Sequence, residues 1–514
     1  MLRRGYLQLP EGITAIAPYA VSGALLAIAF PRANQSAIAW SVLAPFFYCI
    51  YRLPWNQVVI MSFAFGAGFV AALVWWVGLF GALLLILLAT LVSLIFFVGF
   101  AALARALGSE LGPWGRLLLL PSLWVFVEWL SSLWITGFPW WSIGTSQYRA
   151  LPLLQISSVT GVWGVSFLLA LSNAVIANAV VSSNRRIRRR VVVQQVALVA
   201  AVTAGLWAWG ARAMDVYHPG GRSLRAGVIQ GNIPQNVPHD RDYVEQVWRT
   251  YGDLTAQAAD QGAEFILWPE GTIPGRVTRN PVLLGKLETI AGNSGDVRLL
   301  AGGRDEGEMG EVYNCAFLVG ANRGLLGRYA KVHLVPFAEF VVLRNYLPNL
   351  TRYRVLPYDV SPGQEVNTLS DGADSFGAVI CFESIFPQIS RQLASRGAQL
   401  LCVLTNDAYY DRTAAAEQHL SKAVCRAVEN RRFLLRGAST GISCIVDPCG
   451  RIIARAPLRE EKVLTGSVTL IAEKSFYTQH GDWFVYVCMA AAAMLGAISL
   501  RGARASRPRP ASRR

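Results

Sequence analysis

Eight apolar stretches constrain this chain more than any other feature. Seven lie before residue 210, at 13–30, 36–51, 58–79, 83–107, 117–135, 162–181 and 191–209, and an eighth runs over 483–500. Each approaches the roughly twenty residues that a helix needs to cross a bilayer core. Lipid offers the backbone no hydrogen bonds, so segments of this kind must be helical. The first follows Arg3 and Arg4, has no small-residue cleavage site and is succeeded by further spans; it reads as a retained helix instead of a removed signal.

Eight spans put both termini on one side of the membrane. With a cytoplasmic N-terminus, the inner loops and ends hold Arg3, Arg4, Arg52, Arg105, Arg116, the basic run at 185–190 and the six arginines of the tail at 501–514. Only Arg32, Arg149 and Arg212 fall outside, an asymmetry that follows the positive-inside rule. The run at 185–190 is therefore read as a topology signal, and the tail, rich in Arg, Ser, Pro and Ala, as disordered. The expected organisation is helices 1 to 7 within 1–212, an extracytoplasmic domain over 213–481, helix 8 over 482–500 and a basic cytoplasmic tail over 501–514.

The net charge of +15 is not a nucleic-acid signal. Residues 214–481 carry 28 Lys+Arg and 28 Asp+Glu, whereas the rest of the chain carries 19 and 4. The excess thus lies in the spans, their loops and the termini. None of the eight cysteines forms a Cys-x-x-Cys pair, which argues against a zinc ribbon or redox motif. Cys444 and Cys449 flank Asp447-Pro448, a hairpin turn instead of a disulfide. No His, Asp and Glu have metal-ligand spacing, so neither metal nor other cofactor is expected. Glu128, within the fifth stretch, is costly in lipid unless it faces protein or water; a functional role and a satisfied interhelical contact both fit.

From residue 224 the pattern changes to short strands alternating with amphipathic helices, which predicts a layered α/β domain. Three stretches in it carry chemistry. Phe265 to Trp268 reads as a strand that ends at Pro269 and Glu270; a predicted hairpin over 313–319 and 324–332 delivers Lys331; and a small, β-branched run from Gly377 ends at Cys381, with Phe382 and Glu383 at the turn. A cysteine in an apolar strand is ordinarily a core residue. At a strand's end, with a carboxylate to move protons and a cation to hold an oxyanion, it becomes a candidate acyl-transfer nucleophile. Glu339 and Glu383 are open to two readings, tuning the lysine or thiol by charge or serving as ordinary ion-pair partners. His333 is read as structural and His419 as a cap or core contact.

In that order, Trp268-Pro269-Glu270, Lys331 and Cys381-Phe382-Glu383 resemble the nitrilase superfamily, whose members use a Glu-Lys-Cys triad. With Gly137-Phe138-Pro139-Trp140, residues 161–167, residues 230–235, residues 331–337 and Thr405-Asn406-Asp407-Ala408, nearly the whole chain resembles the bacterial apolipoprotein N-acyltransferase family. The resemblance implies eight transmembrane helices plus an αββα sandwich. It also implies an acyl transfer from phospholipid to the N-terminal amine of diacylglyceryl-modified apolipoproteins. Glu270, Lys331 and Cys381 would be catalytic, with Glu339, Phe382, Glu383, Asn314 and Trp140 supporting the site or binding substrate. The aromatics around Trp140 belong to an interfacial belt and could also floor a lipid entrance. Two departures stand out: Asn236-Val237-Pro238-His239 replaces a Lys-Trp pair frequent in the family, and Phe382 stands where tyrosine is frequent. The leucine-rich loop over 341–358 is the expected membrane-dipping lid. The competing readings are a membrane-tethered amidase and a transporter or sensor whose outer domain only binds.

Overall fold

Alternation decides the inner layers. In a computed structural model of the chain, which describes residues 16–133, 137–181, 185–233, 240–341, 359–410 and 413–505, the strands gather into two sheets. The first contains β1 (Arg222–Gln230), β2 (Phe265–Leu267), β3 (Ile273–Arg276), β4 (Arg298–Glu306), β5 (Val312–Gly320), β6 (Gly324–Ala330) and β13 (Lys462–Leu470). Its order is β13-β1-β2-β4-β5-β6, with β3 beside β4. The second contains β7 (Leu369–Ser370), β8 (Ser375–Ile380), β9 (Leu400–Thr405), β10 (Leu434–Ala438), β11 (Cys444–Val446) and β12 (Ile452–Arg455), in the order β12-β11-β10-β9-β8-β7.

Side chains two apart on a strand share a face. Ala226, Val228, Phe265 and Leu267 therefore meet Ala378, Ile380, Cys402 and Leu404 between the sheets, where Phe265 stacks on Phe376 at 4.5 Å. The intervening residues point outward. Ile229 and Ile266 pack under α11 (Arg241–Asp260) and α12 (Pro281–Asn293), while Val379 and Val403 pack under α13 (Pro387–Ser395) and α14 (Ala415–Asn430). The result is the expected αββα sandwich.

The N-terminal part is helical: α1 (Ala17–Ala27), α2 (Ala44–Arg52), α3 (Trp55–Leu73), α4 (Ala82–Val92), α5 (Gly99–Gly108), α6 (Pro113–Leu133), α7 (Leu151–Leu154), α8 (Ser157–Thr160), α9 (Trp163–Val181) and α10 (Arg185–Val216). A short α15 (Phe476–His480) and α16 (Trp483–Ala505) end the chain. A π-helical turn, Ser93–Val98, joins α4 to α5. Glycine sets the crossing of α1 with α3, since a Cβ on Gly23 would lie 2.0 Å from the Phe65 carbonyl oxygen and one on Gly68 2.1 Å from that of Ala20.

Among the described residues six helices are long and apolar enough to cross a membrane: Trp55–Leu73, Ala82–Gly108, Pro113–Leu133, Trp163–Val180, Arg189–Val216 and Trp483–Ala503. The stretch at 36–51 departs from expectation. It forms a 3-10 turn, Ser36–Trp40, and then only nine helical residues in α2, about 14 Å of helix against a core of about 30 Å. The stretch at 13–30 forms the eleven-residue α1, its first residues lying outside the described ones. The predicted lid over 341–358, apart from Val341, and residues 234–239 also lie outside the described residues.

Candidate active site

Each predicted catalytic residue sits just past the end of a strand. Cys381 follows β8 and opens the 3-10 turn Cys381–Ile385. Its φ is +51°, a left-handed conformation that costs a side-chain-bearing residue about 1–3 kcal/mol and persists only where surrounding bonds impose it. Glu270 lies three residues past β2, on a turn that Thr272 Oγ1 closes by donating to the Pro269 carbonyl at 2.8 Å. Lys331 is the first residue after β6; its N–H donates to the Asn314 carbonyl and its carbonyl accepts from Gly363, at 2.8 and 2.7 Å.

These ends converge. Lys331 Nζ lies 2.8 Å from Glu339 Oε2 and 3.7 Å from Glu270 Oε1. Asn314 Nδ2 donates to Glu270 Oε1 at 2.8 Å and to Glu339 Oε1 at 3.0 Å, so one amide and one ammonium bridge both carboxylates. Glu270 and the Thr405 hydroxyl both lie near enough to the Cys381 thiol to bear on its ionisation. Glu339 is thus the tight ion-pair partner of Lys331, and Glu270 faces the sulfur.

The electrostatics suit proton transfer. Burial pushes the Cys381 thiol up, and the nearby Glu270 charge adds to that, so the resting sulfur keeps its proton. Burial also raises Glu270 above the usual carboxylate range, making it a stronger base once ionised. Burial alone would lower Lys331, but Glu339 and Glu270 more than offset it and hold the ammonium charged. Within this arrangement a thiol can lose its proton to Glu270 as it attacks, and a fixed cation stands beside the oxyanion that forms.

The supporting residues divide. Glu383 accepts hydrogen bonds from Tyr329 Oη and from the backbone N–H groups of Val332, His333 and Ile380, tying the lysine loop to the turn that Cys381 opens; burial pushes its carboxyl up to about 7. Phe382 packs edge-on to Phe386 at 5.3 Å, and His333 lies 3.9 Å from that ring, in keeping with a structural role. Trp140 is buried against α14, its indole N–H donating to Gln418 Oε1 at 2.8 Å. Glu128 accepts from Trp124, Ser142, Ile143 and Ser166, the satisfied interhelical contact among its two readings. All eight cysteines are unbridged, and β11 and β12 form the hairpin expected around Asp447-Pro448.

Sequence reasoning quoted Thr405 as part of a matching stretch without placing it in the site, and missed Ser384 and the reach of His419. The signal for Thr405 was present: β9 runs parallel to β8, so its C-terminal end must lie beside Cys381. His419 is a core contact, as expected, but the contact is to the Cys381 carbonyl.

Two family models match the chain, carbon-nitrogen hydrolase over residues 225–475 and apolipoprotein N-acyltransferase N-terminal domain over residues 22–175. An apolipoprotein N-acyltransferase of Geobacter metallireducens is 34% identical over 494 residues, covering 94% of each chain. One of Methylococcus capsulatus is 33% identical, covering 90% of this chain and 91% of its own. The chain belongs to the apolipoprotein N-acyltransferase family. Among solved structures, an amidase from Nesterenkonia sp. AN1, captured with acrylamide added to its active-site cysteine, aligns at 22% identity and a TM-score of 0.38 over 51% of this chain and 98% of its own. Membership of an N-acyltransferase family makes this chain a membrane-associated acyltransferase of nitrilase-like fold, and its helices supply the membrane part.

Proposed function

We propose that the protein transfers an acyl chain from a phospholipid to the α-amino group of the S-diacylglyceryl cysteine that begins an apolipoprotein, by way of a thioester on Cys381. The observation that carries this reading is the enclosed convergence of Cys381, Glu270 and Lys331 at strand ends, in a chain related over nearly its full length to N-acyltransferases.

Cys381 Sγ attacks the ester carbonyl as Glu270 takes the thiol proton. The tetrahedral oxyanion forms beside Lys331 Nζ. Collapse breaks the ester C–O bond, and Glu270 returns the proton to the departing lysophospholipid alkoxide. The apolipoprotein amine then attacks the thioester, Glu270 accepts an amine proton, and the expelled thiolate recovers it as the amide is released. The two half-reactions share one site, so the kinetics are ping-pong. Glu339 pairs with Lys331 and Asn314 ties Glu339 to Glu270, which holds the ammonium and the base together beside the sulfur.

The catalytic sandwich is assigned to the periplasmic face of the bacterial inner membrane. The five long apolar helices that precede the sandwich are an odd number of crossings, which puts it opposite a cytoplasmic N-terminus, and the arginine distribution favours that orientation.

Intact-mass measurement after incubation with phospholipid tests the reading, beside Cys381→Ala. The expected result is one acyl adduct on the wild type alone, discharged by a diacylglyceryl-cysteine peptide. An adduct absent from both proteins, or discharged by water as fast as by the peptide, favours a tethered amidase instead.

A further inference from the structure

The left-handed φ of Cys381 needs something to impose it, and the bonds that do so converge on one side chain. The Cys381 carbonyl accepts from Ser384 Oγ at 2.9 Å and lies 3.0 Å from His419 Nε2, which is itself 2.7 Å from Ser384 Oγ. A carbonyl only accepts, so Nε2 must carry a proton. On the ring's other side Nδ1 lies 3.1 Å from Arg436 Nη2. Asp407 Oδ1, at 3.3 Å from Nδ1, is the longer contact; its other oxygen fixes Arg436 at 2.9 Å. Burial would raise Asp407, but Arg436 and His419 hold it down to about 2, so it stays ionised as the anchor of the chain.

We propose that His419 is a positioning residue for Cys381: through the Nε2–H it clamps the nucleophile's carbonyl and so keeps the thiol aimed at Glu270 and Lys331. It is not the general base, because the nitrogen that faces the Cys381 turn meets the carbonyl and Ser384 instead of the sulfur. Its neighbours on α14 give the clamp a reference frame. Gln418 accepts from the indoles of Trp76 and Trp140 and donates to the carbonyls of Pro31 and Leu73. Lys422 Nζ donates to the Trp140 carbonyl and to Thr145 Oγ1, at 2.7 and 2.6 Å. α14 therefore bonds to the N-terminal helical part through Gln418 and Lys422 and to the nucleophile's backbone through His419. The thiol's orientation is registered to the helices from which a lipid would arrive.

The inference rests on Cys381 being the nucleophile, and the experiment separates the two. In the full-length protein in detergent, single-turnover formation of the acyl-enzyme from phospholipid and alkylation of Cys381 by a small haloacetamide are followed by mass. Wild type, His419→Ala, His419→Gln and Ser384→Ala are compared. His419→Ala is expected to slow acylation by about 10- to 100-fold, with the half-saturating lipid concentration within about twofold of wild type. His419→Gln, whose amide still donates, recovers most of that rate. Ser384→Ala, a smaller change that preserves folding even if His419→Ala does not, slows acylation by about three- to tenfold. Wild-type acylation in Ser384→Ala and His419→Ala, no recovery by His419→Gln, or an effect confined to lipid affinity would overturn the proposal. Acyl mass on a residue other than Cys381 in the wild type would instead overturn the reading it stands on.

Discussion

α10 and α14 invert the usual relation between polarity and burial. Beyond its basic first turns α10 is largely apolar, yet only 11% of an apolar 18-residue window within Arg189–Val216 is buried within the protein. α14 carries Gln418, His419, Lys422, Arg426, Glu429 and Asn430, and all of it except Glu417 is buried. For α10, apolarity is complementary to lipid, and its composition describes its solvent. For α14, wedged between a sheet and the N-terminal helices, each polar group has a specific partner. Arg426 and Glu429 pair at 2.7 Å, Glu429 also accepts from Val162 N–H, and Asn430 accepts from Thr478. Buried polar groups survive only when satisfied, so such a helix can dock in one pose alone. The hydrophobic helix sets location; the polar one sets register.

The sharpest break comes at the residue that α14 supports. Cys381→Ser should leave the fold intact and lower acyl transfer at least about 10⁴-fold, since the hydroxyl is a far weaker nucleophile than the thiol at this site; turnover with radiolabelled phospholipid reads it. Next in size is the buried pair. Glu429→Gln leaves Arg426 enclosed without its counter-charge and is expected to cost about 3–5 kcal/mol, measured as a lowered unfolding midpoint in detergent. A stability near wild type would mean that water reaches this part of α14.

Gln418→Ala strips the acceptor from two buried indoles and should cost roughly 2–4 kcal/mol. Its effect on acylation should exceed what the stability loss explains, because Trp140 and the helix bearing His419 lose a shared anchor. The pH profile is a finer test. Glu270 must be ionised to take the thiol proton, and burial raises its pKa, so the acylation rate should climb with pH through a midpoint above the ordinary carboxylate value of about 4.3. A limb at or below that value would argue against Glu270 as the base. On α10 the expectation is nearly nothing: Leu198→Ala, at an exposed position, should shift stability by less than about 0.5 kcal/mol. A larger loss would show that α10 has a protein partner that α14's example would lead one to look for.

Much of the site was legible because strand ends are written in short apolar runs. Phe265–Leu267, the β5–β6 hairpin and Ser375–Ile380 each stop shortly before a chemically distinctive residue; the first two lie in one sheet and the third in the other, so the stops meet where the two sheets stack. The stretch at 36–51 misled for the complementary reason. A hydropathy window reports composition, and composition cannot show that the helix breaks between Trp40 and Ala44. Glu339 remained ambiguous because pairing with Lys331 depends on how a loop returns, which spacing along the chain does not specify.

The sequence by itself determined that the chain must enter lipid, where its strands end, and that a carboxylate, an ammonium and a thiol would stand at those ends. These are local properties, carried by periodicity and residue type within a few turns or strand lengths. Only the tertiary structure decided which carboxylate grips Lys331, that the Cys381 carbonyl is held by His419, and that Gln418 joins two tryptophans 342 and 278 residues away. Such bonds are short and directional, and they exist only once the layers have stacked.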